Sequence, residues 1–267
     1  MRRAICLIAF ACALTPSAWA ADQLPSLNKL VTSIDLSGPF STRSAWTFTA
    51  TQAPDIVDPT AGGPPEMIAG AITLCLSKDG GHTCDPRLVP ALHPYYGDDI
   101  FSETHFLPRA SIEYPSPGTA PRLVLQAASI YSVDGDQLVA TRVFAYDRKT
   151  DGFIEVFRQQ TGRNNNQEIR YMTGGPLRGA IVSAEPTDRA PYSYWITVNR
   201  ISAKGIYKPV LRYRSVTGYA DGNPLGVIDS EMPNLLRHLG KWKPGQPLPL
   251  PDTPCDPHLV SMELWCR

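Results

Sequence analysis

Arg122-Leu-Val-Leu-Gln-Ala-Ala-Ser-Ile-Tyr-Ser132, Leu138-Val-Ala-Thr-Arg-Val-Phe-Ala-Tyr146 and Phe153-Ile-Glu-Val-Phe-Arg-Gln159 follow one another along the chain. The turn sequences Asp134-Gly-Asp136 and Asp147-Arg-Lys-Thr-Asp-Gly152 stand between them. β-branched and aromatic residues fill the runs, and Asp-Gly pairs of the kind tight hairpins require separate them. This stretch therefore reads as an antiparallel meander. Similar runs recur at Ala45–Thr51, Ile68–Leu76, Glu168–Met172, Ala180–Glu185, Tyr194–Asn199 and Lys208–Ser215, with a shorter one at Gly226–Asp229. No helical periodicity alternates with them, so a parallel α/β sheet is not expected.

The last run of the meander has an echo. Phe153-Ile-Glu-Val-Phe-Arg158 precedes Thr161-Gly162, and Tyr207-Lys-Pro-Val-Leu-Arg212 precedes Thr217-Gly218. The aromatic, Val and Arg positions are offset by the same 54 residues, and each run follows a turn, the second being Ser202-Ala-Lys-Gly205. A repeated unit of this length is compatible with propeller blades, and also with chance likeness between two amphipathic hairpins. The expected fold class is mainly β: antiparallel sheets in a propeller-like, sandwich or barrel arrangement, with one or two short helices and two local disulfides.

The helices expected are Leu27–Ile34, following Ser26, and Met232–Leu239. The second has Ser230 or Asp229 as cap, Pro233 in its first turn and Gly240 at its exit. Proline is abundant, with 26 residues. From Lys243 to Pro254 it recurs so often that the segment should run extended. Residues 21–242 form a single mainly-β domain in this reading, and 243–267 a proline-rich tail closed by a terminal disulfide loop.

At the N-terminus, Arg2 and Arg3 precede the uncharged apolar run Ile5–Leu14. Pro16 ends that run, and Ala18-Trp19-Ala20 places small residues where a signal peptidase reads. Residues 1–20 are expected to be a secretory signal peptide cleaved after Ala20. A structural N-terminal helix and lipidation at Cys12 are the alternatives. The mature protein would be periplasmic or secreted, with no transmembrane segment. Loss of Arg2 and Arg3 leaves 23 basic against 25 acidic residues, a balance with no electrostatic case for nucleic acid as a partner. Four of the six cysteines survive: Cys75, Cys84, Cys255 and Cys266. Cys75 and Cys84 flank the turn Lys78-Asp-Gly-Gly81, and Cys255 and Cys266 enclose a second short loop. Local pairing of each couple is expected, at roughly 2–3 kcal/mol apiece. A four-cysteine metal site lacks the usual close pair.

No G-x-S-x-G, H-E-x-x-H, Walker or dinucleotide-binding sequence occurs, so no cofactor is implied. The densest polar group is His93-Pro-Tyr-Tyr-Gly-Asp98-Asp99-Ile-Phe-Ser-Glu103-Thr-His105. Asp98, Asp99, Glu103 and His105 are its candidate catalytic residues, since carboxylates beside imidazoles serve acid/base work or metal binding. The plainer reading is a surface loop with His105 half exposed. The second candidate is Thr161-Gly-Arg-Asn-Asn-Asn-Gln-Glu168: Arg163, Asn164, Asn165 and Asn166, with Arg170 nearby, form a candidate surface for a polar ligand such as a glycan, or a self-bonded turn. The acidic turns Asp134-Gly-Asp136, Asp147 with Asp151, and Asp221-Gly-Asn223 read as turn chemistry rather than calcium loops. Tyr192, Tyr194, Trp195, Tyr207, Tyr213 and Tyr219 divide between core and surface. Asp229 and Glu231 belong at a helix N-terminus.

Gly162–Glu168, Asp221-Gly-Asn-Pro-Leu225 and Ile228–Asn234 resemble segments of a group of exported proteobacterial proteins with no assigned activity, and the likeness runs from about residue 68 to the end. It implies export and a shared fold, not a mechanism. The hairpin Tyr146–Phe157 is more weakly similar to periplasmic β-propeller domains. Three functions follow as expectations. One is a non-catalytic β-scaffold binding a polar ligand or a protein or glycan of the cell envelope through its loops. The other is an envelope-polymer hydrolase using the His93–His105 loop. A structural envelope component is the third.

Overall fold

The structure is a computed structural model describing residues 28–58, 63–88, 91–92, 103–131, 137–161, 168–187, 193–215, 226–246, 257–260 and 263–266. The signal-peptide assignment lies outside these residues. The fold is mainly β and antiparallel, as the meander predicts, and three sheets carry it. The first pairs β1 (Lys29–Asp35), β2 (Thr47–Gln52) and β5 (Ile72–Ser77), in the order β1-β2-β5. The second is the meander β6 (Phe106–Glu113), β7 (Arg122–Tyr131), β8 (Gln137–Asp147) and β9 (Gly152–Thr161). The third is another meander, β10 (Glu168–Tyr171), β11 (Ile181–Pro186), β12 (Tyr194–Ile201) and β13 (Tyr207–Arg214). Small hairpins pair β3 (Ile56–Val57) with β4 (Met67–Ile68), and β14 (Pro257–Val260) with β15 (Glu263–Cys266).

The three sheets stack face to face. Side chains alternate across a strand, and in the second sheet both alternating sets are buried. Leu123, Leu125, Ala127, Phe144 and Phe153 pack with Phe48, Leu74 and Leu76 of the first sheet. Val124, Val143, Ala145 and Val156 pack with Tyr171, Ile181 and Tyr207 of the third. The far face of the third sheet, Val182, Ala184, Ile196 and Val198, is covered by Ile228, Met232, Leu235 and Leu236 of helix α2 (Val227–His238). A four-residue helix, α1 (Ser37–Phe40), adds Phe40 to the first seam.

The 54-residue echo is structural. Phe153 and Tyr207 open the fourth strand of successive four-stranded meanders, each after a turn with one left-handed residue, Asp151 at φ 48° and Gly205 at φ 75°, which also stand 54 apart. Blade-like sheets in face-to-face contact fit both the propeller-like and sandwich expectations.

Several boundaries differ from expectation. The segment expected as a helix at Leu27–Ile34 is strand β1 from Lys29 onward. Val31, Thr32 and Ile34 are β-branched, and an antiparallel ladder to β2, with one irregularity between Leu30 and Thr32, outweighs the weak helical pattern. Strand Ile68–Leu76 breaks at Gly70, which approaches the Ala53–Pro54 backbone so closely that no side chain fits. β6 went unforeseen because Pro108 interrupts it. An edge strand tolerates proline, and the ladder is irregular there.

Gly226–Asp229 is not a strand. Helix α2 begins at Val227, five residues earlier than expected, and Pro233 lies inside it. Neither Ser230 nor Asp229 caps it. Glu168 on β10 instead accepts the backbone N–H of Ile228 at 2.9 Å, satisfying an orphan donor from another element. The exit is as expected: Gly240 at φ 65° donates to Arg237, and Lys241 donates to Leu236, closing a Schellman motif. Cys75 and Cys84 form a disulfide. Cys255 lies outside the described residues, and with it the second bridge. Among the described residues no helix is long and apolar enough to cross a membrane.

Candidate functional site

The acidic-loop candidate is only partly described. His93, Asp98 and Asp99 lie outside the described residues. Glu103 and His105 come together just before β6: His105 Nε2 is 3.7 Å from a Glu103 carboxylate oxygen. His105 Nδ1 donates to the Ala69 carbonyl at 2.8 Å, and its backbone N–H donates to Ala128. The imidazole is 1% exposed while the Glu103 side chain is 60% exposed, so His105 is buried rather than half exposed. Among the described residues no group of three or more His, Cys, Asp or Glu is placed to hold a metal ion.

Of the glycan-loop candidates, Arg163, Asn164, Asn165 and Asn166 lie outside the described residues. Arg170, on β10, is engaged from two sides. It donates to both Asp229 oxygens at 2.8 and 3.2 Å and to Glu168. All three side chains are nearly buried. One guanidinium faces two carboxyl groups here. Burial, with the Asp229 charge adding to it, pushes the Glu168 carboxyl above its ordinary range.

The acidic turn at Asp147–Gly152 closes on itself and on the first sheet. Asp147 accepts from the Lys149 N–H and the Thr150 hydroxyl. Asp151 accepts from the Ser44 hydroxyl at 2.5 Å and the Tyr146 hydroxyl at 2.7 Å, bonds that hold its carboxyl down to about 2. Asp134, Asp136, Asp221 and Asn223 lie outside the described residues. Of the aromatics, Tyr194 and Tyr207 are core, and Tyr213 donates to Glu231 at 2.9 Å. Burial raises the Tyr207 and Tyr213 phenols far above their ordinary value, so both stay protonated. Trp195 is the exposed member, and Tyr192 and Tyr219 lie outside the described residues.

The feature the sequence reading missed is a groove of about 570 Å³ between the second and third sheets. At one end of this seam Tyr207 and Phe157 meet edge to face, 5.7 Å between centroids. At the other end the sheets part along edge strand β9, and polar side chains line the gap. Ser183, Thr197 and Arg212 stand directly side by side on β11, β12 and β13. Asn199 flanks them, and Gln159 of β9 reaches across to donate to Glu185 of β11. Arg212 lies over the Trp195 ring, 4.7 Å from its centroid, and pairs with no carboxylate among the described residues. Ser183 is 1% exposed, yet its hydroxyl meets no hydrogen-bond partner.

Among the described residues that line the groove, no hydroxyl is hydrogen-bonded to a carboxylate or an imidazole. A buried hydroxyl without a partner costs about 1–3 kcal/mol, a penalty a bound polar group removes. Ser183, Thr197 and Asn199 alternate with apolar neighbours along their strands. Alternation is the signal that could have flagged them, but it reads as a solvent face until the second sheet is placed over it. The chain leaves β9 just past Gln159 into the Asn-rich segment and returns at Glu168 on β10, so that segment joins the two sheets that flank the groove. Comparison with family models, with curated proteins and with solved structures finds no match.

Proposed function

We propose that the chain is an exported protein, cleaved after Ala20 and working in the periplasm or outside the cell, that binds a polar envelope ligand non-catalytically in the groove between its second and third sheets. The observation that carries this reading is the Ser183 hydroxyl, which has no partner among the described residues and is buried in the wall of a groove lined by polar and apolar side chains alike. The Cys75–Cys84 bridge agrees with an oxidising compartment, and the resemblance to exported proteobacterial proteins points the same way. Burial of His105, with Nδ1 committed to a carbonyl, favours binding over hydrolysis at the neighbouring loop.

The test is a panel of envelope saccharides and peptides, screened against residues 21–267 by thermal shift and by amide chemical-shift mapping. At least one member is expected to perturb β11, β12 and β13 together, and Ser183→Val is expected to abolish that response with the fold intact. A panel without hits, or hits that Ser183→Val leaves unchanged, overturns the proposal.

A further inference from the structure

Resting on that reading of the groove, we infer that its ligand is an acidic saccharide whose carboxylate is held by Arg212. Strands in a sheet lie about 4.8 Å apart, so the row Ser183, Thr197, Arg212 spans about 10 Å between its outer Cα positions. That is the scale of a short saccharide rather than of a bare ion, with hydroxyl partners at one end and a cation at the other. Arg212 rests on Trp195. The stacking holds the planar fork in place, and a pre-ordered fork matches a carboxylate through two parallel N–H···O bonds. A neutral sugar would leave that fork unused, and a bare anion would leave the Ser183 hydroxyl unsatisfied.

The same sheet supplies the complement. Glu185, on β11 beside Ser183, accepts from the Gln159 amide of the facing β9, and a carboxylate has further lone pairs for hydroxyl donors. The groove thus offers a cation for one ligand group and acceptors and hydroxyls for the rest. A saccharide containing a uronic acid carries that combination.

The experiment is isothermal titration of the mature chain with three probes: a galacturonate trimer, its carboxyl-reduced neutral counterpart, and inorganic sulfate. The acidic trimer is expected to bind at least about ten-fold tighter than the neutral one, the effect of one charge-assisted bond, and the advantage is expected to shrink as salt is raised. Arg212→Met should reduce the acidic trimer to the level of the neutral one, and a thermal midpoint close to that of the parent establishes that the variant is folded. Equal binding of the two trimers, no binding of the acidic trimer, or sulfate binding as tightly as the acidic trimer overturns the inference. If the neutral trimer binds and Ser183→Val abolishes that binding, the groove reading survives the loss of the acidic one. If the broader panel is also empty, both fall.

Discussion

The two seams that flank the second sheet are built differently. The seam with the first sheet is closed by rings. Phe153 lies at its centre with Phe40, Trp46 and Tyr146 around it, their centroids 5.0, 5.4 and 5.6 Å away, and the buried Arg142 on this face is tied to Glu155 and to the Leu88 carbonyl. The seam with the third sheet starts the same way, with Val124, Val143, Tyr171 and Tyr207, and then opens into hydroxyls, amides, carboxylates and guanidiniums. Phe153 and Tyr207 hold equivalent places in the two meanders, yet Phe153 is sealed by aromatic neighbours while the strand of Tyr207 borders the groove. The contrast separates a seam that is packed shut from one in which packing stops short and polar groups face a gap. Repetition of the sheet built both, and only the side chains at one end of the third sheet changed the outcome.

The largest effect that tests this contrast belongs to the first seam. Phe153 is fully buried, and its truncation leaves a cavity among rings that have no room to collapse. Phe153→Ala is expected to cost about 3–5 kcal/mol, read as a drop in the urea midpoint with the slope unchanged. A loss below about 1 kcal/mol would mean that the first seam is as loosely filled as the second, and the contrast would fail.

A smaller effect tests how each seam holds its buried charge. Beside the first seam one carboxylate meets one guanidinium, in the Arg142–Glu155 pair, whereas Glu168, Arg170 and Asp229 together tie β10 to helix α2. The folded Glu168 carboxyl lies above its unfolded value because burial disfavours its charge. The folded state therefore binds more protons than the unfolded one between those two values. The stability this group contributes is full below the unfolded value and is lost as pH rises through the folded one. The stability of the parent minus that of Glu168→Gln, measured by urea unfolding across the acid to neutral range, is expected to be most favourable at acid pH and to shrink upward. A difference that grows with pH would show that Arg170 outweighs burial at this site.

Much of this fold can be read from local chemistry, and the misses share a cause. The meander, the Cys75–Cys84 turn and the exit of α2 at Gly240 depend on neighbours in sequence, and they are where the residues say. The start of α2 does not: Gly226 offers no side chain, and the cap comes from Glu168, about sixty residues away. β1 becomes a strand because β2 is beside it. The groove was hidden for the same reason. Ser183, Thr197 and Arg212 stand on three different strands, and the polar alternation of each suits solvent equally well. Of the binding candidates named from sequence, Arg170 is within the described residues, and it faces the α2 carboxylate rather than open space. The chemistry-rich loops drew the eye, while the polar residues that converge are spaced singly along ordinary strands.

The smallest effect is also the most discriminating, because it compares two serines that are equally buried. Ser129, on β7, accepts from the Leu138 N–H at 3.0 Å and donates to the Ile130 carbonyl at 2.7 Å. Its hydroxyl is part of the structure, and Ser129→Ala leaves a buried donor unpaired, at a cost of about 1–3 kcal/mol. The Ser183 hydroxyl has no hydrogen-bond partner among the described residues, so Ser183→Ala removes a desolvated group with no partner to orphan. Its expected effect is a rise in the urea midpoint worth about 1 kcal/mol, the low end of the cost of an unpaired buried hydroxyl. A loss at Ser183 equal to that at Ser129 would mean that its hydroxyl is structural, and the groove would lose the one feature that marks it as a place kept for a ligand. Stability raised by Ser183→Ala, together with binding weakened by it, is the signature of a residue retained at a cost to folding for the sake of what it holds.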